Sequence, residues 1–309
     1  MQLFKSSVAV LTAAVLLAGV AGCSEAGAGD DDQAVVAVIT PYLANAATKE
    51  VVEKFKAAGE TRGWKVTVTD TAGDFNALNS KMQNAANQKV DAIVLGMGDP
   101  QQMGLGLDAA RSASVPVLAI DAAAADGIAA NVTSDNADLG RKSAGALLDA
   151  VGGKGKIAML THDPHPGVRA RAAAAKSVFE GAGVTIVASK HVTVPGPVEA
   201  ARKTTDDLLT ANPGAADLTG IWAGWDEPAL GAAQAIEQAK RTGVAVVGVD
   251  GQDFALAAID KAGPFKATVK QDWAAIAEQT AVLVADVLTG KQPAQKEYTL
   301  PGTLYTQKN

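Results

Sequence analysis

The sequence predicts an α/β protein in which parallel sheets are covered by helices on both faces. From Ala34 onward, short runs of β-branched residues alternate with alanine-rich segments whose apolar residues recur every three or four positions. Strands that are apolar along their whole length are typical of parallel sheets buried under helices. We predict helices at Glu50–Glu60, Asn136–Ala150 and Glu199–Ala211. The predicted strands are Val35–Ile39, Lys65–Thr69, Ala92–Leu95, Val115–Ile120, Lys156–Leu160, Val184–Ala188, Leu218–Ala223, Val244–Val249 and Lys266–Val269.

Two segments of the chain repeat one strand–helix–strand pattern. Ala92–Asp121 ends in VPVLAID, and Leu218–Asp250 ends in VAVVGVD. In each segment the first strand is followed by an aspartate, Asp99 or Asp226, and then by a proline. Both aspartates are predicted N-caps, because proline is tolerated in the first turn of a helix, where the missing N–H costs nothing.

Each repeat also ends on an aspartate at the carboxyl end of a strand, Asp121 or Asp250. Open α/β sheets bind ligands at this edge. Two facing lobes would hold one carboxylate on each side of a cleft, and a carboxylate accepts hydrogen bonds from two adjacent hydroxyls. We therefore expect a cleft for a polyhydroxylated ligand. The alternative is that either aspartate serves only a turn or a helix cap.

The first 33 residues are predicted to export and anchor the protein. Lys5 precedes an apolar run, Val8–Val20, that is too short to span a bilayer, and small residues then lead to Cys23, the single cysteine. This pattern is typical of a bacterial lipoprotein signal, residues 1–22, in which the thiol of Cys23 receives a diglyceride. A plain secretory signal is the alternative. Residues 23–33 are predicted to form an acidic, flexible tether, and no disulfide is available.

Composition argues against nucleic acid as a partner. The net charge of −6 becomes −7 when residues 1–22, which hold Lys5 and no acid, are removed. A mildly acidic chain with 48% hydrophobic residues has the composition of a folded protein, and it lacks the excess of basic residues that binds nucleic acid. The sequence has no dinucleotide fingerprint, P-loop or nucleophile elbow, so we expect neither an enzyme nor a cofactor.

Several stretches resemble periplasmic sugar-binding proteins of the ribose-binding type, the ligand-capturing components of ATP-driven importers. The resemblance extends from about Val35 to Tyr305. It implies two Rossmann-like lobes joined by a three-crossing hinge, the type I periplasmic binding protein fold. Residues 34–134 and 272–300 would form the N-terminal lobe, and residues 135–271 and 301–309 the C-terminal lobe. The stretches that carry it are VPVLAID (115–121), TSDNADLG (133–140), WDEPALGA (225–232), VAVVGVDG (244–251) and ATVKQD (267–272).

The resemblance also implies a set of ligand-binding residues. Asp121 and Asp250 match one aspartate in each lobe, Arg171 matches an arginine that donates to ligand oxygens, and Gln271 matches a glutamine at the hinge. Asn45 matches an asparagine in the first loop. Arg171 also suits the site chemically, because its planar fork of donors offsets the charge of the two aspartates.

The departures from that family predict a different ligand preference. Ala122 stands where ribose-binding proteins have arginine, and Ala47 and Thr48 stand where they have two phenylalanines. Trp225 replaces an asparagine and is expected to be exposed as a platform for a sugar; the alternative is that it packs onto the following helix. Tyr42 is a candidate aromatic on the opposite lobe. We expect a linear polyol or another monosaccharide to bind better than ribose.

The loop after the strand Lys156–Leu160 carries further candidates. His162 or Asp163 is expected to contact ligand there, and Asp163 belongs to our predicted set. The H-x-x-H spacing of His162 and His165 is a weak metal motif because Pro164 separates them and few acids lie nearby, so no metal is expected.

Taken with the resemblance, these features predict an extracytoplasmic solute-binding lipoprotein. Its expected partners are a sugar or polyol, the permease subunits of an ABC transporter, and the membrane through the lipid on Cys23. We expect it to act as a monomer. A receptor of the same fold that signals to a membrane sensor is the alternative, and the sequence does not separate the two. An extracellular hydrolase would need a nucleophile–base constellation or a metal cluster that the sequence lacks.

Overall fold

The computed structural model describes residues 33–307. The predicted signal at residues 1–22, the predicted lipidation site Cys23 and most of the predicted tether therefore lie outside the described residues. Among the helices of the described part, none has both the length and the apolarity that crossing a bilayer requires.

The first of two six-stranded sheets is parallel throughout and has the strand order β11-β5-β4-β3-β1-β2. Helices α1 and α9 cover one face and α2 and α3 the other, because apolar side chains of β1 alternate between the two helix pairs. Its strands are β1 (Val35–Thr40), β2 (Lys65–Asp70), β3 (Ala92–Gly96), β4 (Val117–Ile120), β5 (Asn131–Ser134) and β11 (Glu297–Leu300). Its helices are α1 (Ala46–Thr61), α2 (Phe75–Asn87), α3 (Gly104–Ser112) and α9 (Trp273–Leu288).

The second sheet has the order β12-β10-β9-β8-β6-β7, with β12 antiparallel at one edge. Helices α4 and α5 pack on one face and α6, α7 and α8 on the other. Its strands are β6 (Lys156–Thr161), β7 (Thr185–His191), β8 (Gly220–Ala223), β9 (Ala245–Asp250), β10 (Phe265–Lys270) and β12 (Thr303–Thr306). Its helices are α4 (Asn136–Ala150), α5 (Pro166–Gly181), α6 (Pro197–Ala211), α7 (Asp226–Gln238) and α8 (Asp253–Asp260).

Within residues 33–307 the chain passes between the two sheets three times. It leaves the first sheet after β5, returns after β10 through α9, which packs on α1, and leaves again between β11 and β12. We call the first sheet with α1, α2, α3 and α9 the first lobe, and the second sheet with α4 to α8 the second lobe.

The predicted α/β class and the parallel sheets are confirmed. All nine predicted strands are present, and the predicted helix Asn136–Ala150 has the same bounds in the structure. The prediction missed β5, β11 and β12, because these four-residue strands mix polar and apolar residues and lack the apolar run that marks β4 and β8.

One of the two predicted N-caps is correct. The carboxylate of Asp99 accepts a hydrogen bond from the backbone N–H of Gln101 and caps a short 3₁₀ helix, Pro100–Gln102. The prediction for Asp226 is wrong: Asp226 is the first residue of α7, and its carboxylate turns away to backbone N–H groups beyond β9.

Candidate ligand-binding cleft

A cavity of about 40 Å³ lies between the lobes, where the carboxyl ends of strands from both sheets face each other. Seven of its residues come from the first lobe and seven from the second. The lining residues are Tyr42, Asn45, Ala47, Thr48, Met97, Asp121, Trp273, His162, His165, Val168, Arg171, Val194, Trp225 and Asp250.

Three lining residues, each at or just after the end of a strand, have a positive φ, which is unusual for residues other than glycine. Asp121 has φ 43°, Asp250 has φ 127° and Met97 has φ 58°. A positive φ costs a residue other than glycine roughly 1–3 kcal/mol and is found mainly where the surrounding structure enforces it, often at functional sites. The two aspartates singled out by the sequence repeat are therefore held by their strand ends in strained conformations.

Arg171 on α5 joins the two aspartates. Its Nη2 lies 3.5 Å from Asp121 Oδ2, and its Nη1 lies 3.4 Å from Asp250 Oδ1. Its Nε donates to Asn136 Oδ1 at 2.6 Å, and Nη1 also donates to the carbonyl oxygen of Gly224 at 3.0 Å. The side chain is only 2% exposed. Because Asp121 belongs to the first lobe and Asp250 to the second, this guanidinium bridges the cleft.

Each aspartate is oriented by a second polar contact. Thr133 Oγ1 donates to Asp121 Oδ1 at 2.6 Å, and Gln271 Nε2 donates to Asp250 Oδ1 at 2.8 Å. Burial raises the pKa of Asp250 well above its usual value, although Arg171 opposes that shift. No protein donor lies within hydrogen-bonding distance of Asp250 Oδ2 in the described residues, so this oxygen is available to accept from a ligand.

Asp226 positions the turn that holds Asp250. It is fully buried and accepts hydrogen bonds from the N–H groups of Gly251 and Gln252 and from Thr268 Oγ1, at 2.8, 2.9 and 2.6 Å. Gly248 is required beneath it, because a Cβ at that position would lie 2.4 Å from Asp226 Oδ1. Burial raises the pKa of Asp226 to about 7, and its hydrogen bonds oppose the shift.

His162 and Tyr42 form a hydrogen bond across the cleft. His162 Nδ1 lies 2.9 Å from the carbonyl oxygen of Val192, so Nδ1 carries the proton and Nε2 accepts from the Tyr42 hydroxyl at 3.1 Å. Desolvation lowers the pKa of His162 and raises the pKa of Tyr42. Both groups are therefore neutral near pH 7.

Further polar contacts join the lobes around the cavity. Arg169 Nη2 lies 2.8 Å from Asp99 Oδ2. Glu227 on α7 accepts from the N–H of Ala46 at 3.2 Å, at the start of α1, where the helix dipole favours a carboxylate. On the hinge side, Gln252 Nε2 donates to Glu50 Oε2 at 3.0 Å.

Most of the predicted site residues meet at this cavity. Asp121, Arg171, Trp225, Asp250, Asn45 and Tyr42 line it, whereas Gln271 reaches it only through Asp250. The Oε1 atom of Gln271 is buried and has no hydrogen-bond partner in the described structure.

Two expectations about individual side chains differ from the structure. Asp163 is exposed and lies outside the cavity, because the loop after β6 turns His162 and His165 inward. The expectation that Trp225 is exposed is wrong: it is buried, its indole N–H donates to Glu227 Oε2 at 3.2 Å, and its ring packs edge-on against His162. Its ring still lines the cavity.

Five residues that line the cavity were not predicted as site residues from the sequence: His165, Met97, Val168, Val194 and Trp273. Trp273 directly follows Gln271 and Asp272, so its proximity to the predicted hinge glutamine was the one available signal. His165 lies in the loop already singled out, but its orientation depends on how α5 begins.

Comparison with known proteins identifies the class of this fold. Residues 36–292 match the periplasmic binding protein domain family, and the chain belongs to that family. It is 30% identical to the ribose import binding protein of Bacillus subtilis over 267 residues, which are 84% of this chain and 82% of the relative. It is 28% identical to the xylitol-binding protein of Mycolicibacterium smegmatis over 240 residues, 74% of this chain and 65% of the relative.

A solved structure agrees with this assignment. An ABC transporter solute-binding protein from Agrobacterium vitis with bound allitol superposes with a TM-score of 0.85 at 27% identity, over 89% of this chain and 96% of that one. The resemblance to type I periplasmic sugar-binding proteins and the two-lobe α/β fold are thereby confirmed. Membership of this family implies an extracytoplasmic location.

Proposed function

We propose that this protein is a solute-binding component of an ABC importer that captures a neutral monosaccharide or sugar alcohol in the cleft. The observation that carries the proposal is the group Asp121, Arg171 and Asp250, which brings charged hydrogen-bonding atoms from both lobes to one cavity. A ligand that bonds to both aspartates holds the lobes together. The similarity of this chain to a ribose import binding protein, a xylitol-binding protein and a solute-binding protein with bound allitol supports this function.

The chemistry of the cavity favours a neutral ligand with several hydroxyl groups. Two carboxylates and one guanidinium line it, and the guanidinium is already engaged by protein acceptors. The remaining capacity is therefore largely for accepting hydroxyl protons, and a further anion would be repelled. Trp225, Trp273 and Val168 supply apolar surface for the C–H groups of a carbon chain or ring.

We further propose that ribose is not the preferred ligand. Ala47 and Thr48 line the cavity where ribose-binding proteins have two phenylalanines, and the buried Ala122 offers no donor where they have an arginine. A sugar alcohol or a different monosaccharide makes better use of the two carboxylates, because it offers more hydroxyl protons. Submicromolar ribose binding that is tighter than the binding of any alditol or hexose tested would contradict this preference.

Anchoring and delivery are part of the same proposal. The lipoprotein pattern ending at Cys23 supports attachment to the outer face of the cell membrane through a lipid, with the acidic tether between lipid and lobes. A lipid-anchored monomer beside the permease subunits would then pass its ligand to them. No catalytic step belongs to this function.

The test is calorimetry on the domain with D-ribose, xylitol, allitol and D-allose, preceded by a thermal-shift screen, because a ligand that binds only the native state raises apparent stability. Asp250→Asn keeps the shape and the tolerance for positive φ but removes the charge. A hydrogen bond to a charged group is worth roughly 1.5–3 kcal/mol, so affinity should fall by at least about tenfold. Asp163→Asn, on an exposed carboxylate outside the cavity, is the matched control and should bind as wild type does. Equal affinities of both variants would refute the site.

A further inference from the structure

Helices α1 and α7 begin on opposite sides of the cleft with incomplete N-terminal caps. Asn45, the N-cap of α1, and Trp225, the N-cap of α7, make no capping hydrogen bond through their side chains within residues 33–307. The first turn of α1 also contains no acidic residue. Each helix N-terminus carries roughly half a positive charge on its unpaired N–H groups. Closure of the lobes therefore brings together two helix ends of the same sign.

Glu227 places a carboxylate between these two helix ends. It lies in the first turn of α7, and its Oε1 accepts from the backbone N–H of Ala46, the first residue of α1, at 3.2 Å. Its Oε2 accepts from the indole N–H of Trp225, also at 3.2 Å. Burial raises the pKa of Glu227, and hydrogen bonds from Ala46, Trp225 and Asn45 oppose this shift. One negative charge thus balances two partial positive charges that belong to different lobes.

The carboxylate of Glu227 acts from outside the cavity. Asn45 of the first lobe and Trp225 of the second lobe line the cavity, whereas Glu227 does not. Its contacts therefore hold one cavity-lining residue of each lobe without a contact to the ligand.

The other acceptors between the lobes keep partners within their own lobe. Asp99 Oδ1 accepts from the N–H of Gln101 at 3.1 Å, and Glu50 Oε1 lies 3.6 Å from Lys54 Nζ on the same helix. The N–H of Ala46 has no second acceptor among the described residues. Opening of the lobes leaves this N–H to water and separates the Glu227 carboxylate from the end of α1.

We propose that Glu227 is a positioning residue for ligand capture, which caps α1 from the opposite lobe and stabilises the closed cleft by the same amount whichever ligand is bound. This proposal rests on the proposed function and adds to it a residue that sets affinity without setting specificity. We call the contact between Glu227 and the N–H of Ala46 the interlobe cap.

The interlobe cap predicts a uniform effect on affinity. Apparent affinity falls with the fraction of protein that reaches the binding-competent state. Because Glu227 touches no ligand, weakening the interlobe cap lowers the affinity for every ligand by one factor. A residue that contacts ligand would instead change the affinities for different ligands by different factors.

The first test replaces the charge and keeps the shape. In calorimetry with D-ribose, xylitol, allitol and D-allose, Glu227→Gln should bind each ligand of wild type at least about fivefold more weakly, by the same factor for each. Glu237→Gln is the matched control, because Glu237 is an exposed residue of the same helix outside the cavity, and it should bind as wild type does.

The second test removes the donor. Ala46→Pro deletes the N–H that Glu227 accepts from, and proline is tolerated at the first position of a helix. Asn45 has φ −81° and ψ 135°, a conformation that suits a residue before proline. Ala46→Pro should weaken binding as Glu227→Gln does. The double variant should bind within about twofold of the weaker single variant, because both changes remove one contact.

Small-angle X-ray scattering without ligand gives a readout that does not depend on the ligand. Glu227→Gln and Ala46→Pro should be less compact than wild type if wild type closes by itself. Unchanged scattering together with affinities within about twofold of wild type would overturn the proposal. So would losses that multiply in the double variant, or a loss that differs between ligands, and in these cases the proposed function stands. If wild type binds none of the four compounds, the proposed function fails and scattering alone decides: equal profiles of wild type and both variants overturn the interlobe cap, and a more compact wild type supports it.

Discussion

Replacement of Arg171 by methionine tests the electrostatic centre of the cleft. The substitution keeps most of the aliphatic volume but removes the guanidinium that lies within 3.5 Å of both Asp121 and Asp250. It also leaves Asn136 Oδ1 and the carbonyl oxygen of Gly224 without their donor. Removing one partner of a buried ion pair costs about 3–5 kcal/mol, because the remaining charge stays desolvated. We expect the free energy of unfolding of Arg171→Met at pH 7.5 to fall by about that amount.

The pH dependence of this loss identifies its origin. Burial already raises the pKa of Asp250 while Arg171 lowers it, so without Arg171 the pKa of the folded-state carboxyl rises further. A carboxyl with a raised folded-state pKa binds more protons in the folded than in the unfolded chain, so the stability of the variant increases as the pH falls. The difference between wild type and variant should therefore shrink between pH 7.5 and pH 5.

Urea unfolding of both proteins at the two pH values measures this difference. Arg202→Met is the control, because Arg202 pairs with exposed Glu199 and Asp206 on the surface of α6, where such pairs are worth about 0–1 kcal/mol. A loss of less than about 1 kcal/mol for Arg171→Met, or a loss that does not change with pH, would refute the assignment of Arg171 as the buried counter-charge of the two aspartates.

Three further predictions follow from the same site and from the leader. Burial lowers the pKa of His165 from 6.5 to about 4, so the free energy of unfolding should decline by about 3 kcal/mol as the pH falls from 6.5 to 4. His165→Asn should flatten this part of the stability–pH profile, and an unchanged profile in the variant would contradict the prediction. Xylonate should bind at least about tenfold more weakly than xylitol by calorimetry, because its carboxylate meets Asp121 and Asp250; comparable affinities would disprove the preference for neutral ligands. Cys23→Ser should move the protein from the membrane to the soluble fraction with unchanged ligand affinity, and an unmodified Cys23 in mass spectra of the wild-type protein would rule out the lipid anchor.

Under the proposed function, ligand affinity and lobe closure depend on the same side chains. Tyr42, Asp99 and Asp121 of the first lobe contact His162, Arg169 and Arg171 of the second lobe. These contacts exist only when the lobes are together. In that proposal, a ligand that bonds to both aspartates adds its binding energy to the closed arrangement, which a permease would distinguish from an open one.

Much of the fold was determined by the sequence alone because its signals are local. The strands around Ala37 and Val246 are apolar runs bounded by turns, and α4 shows its helical period over all fifteen residues. The strand–helix–strand repeat placed Asp121 and Asp250 each at the carboxyl end of a strand, the edge at which an open parallel sheet binds ligands. These features depend on neighbours within a few residues.

The tertiary structure alone decided how the side chains meet, because the partners are far apart in the chain. Arg171 is 50 residues from Asp121 and 79 from Asp250, and Tyr42 is 120 residues from His162. Such contacts depend on the orientation of two separate sheets, which no local period encodes. For the same reason Trp225 is buried against His162 although its position beside a helix start suggested exposure. The role of His165 as the N-cap of α5 could not be predicted from the sequence either. The N–H of Val168 needs a side-chain acceptor only because α5 begins at Pro166.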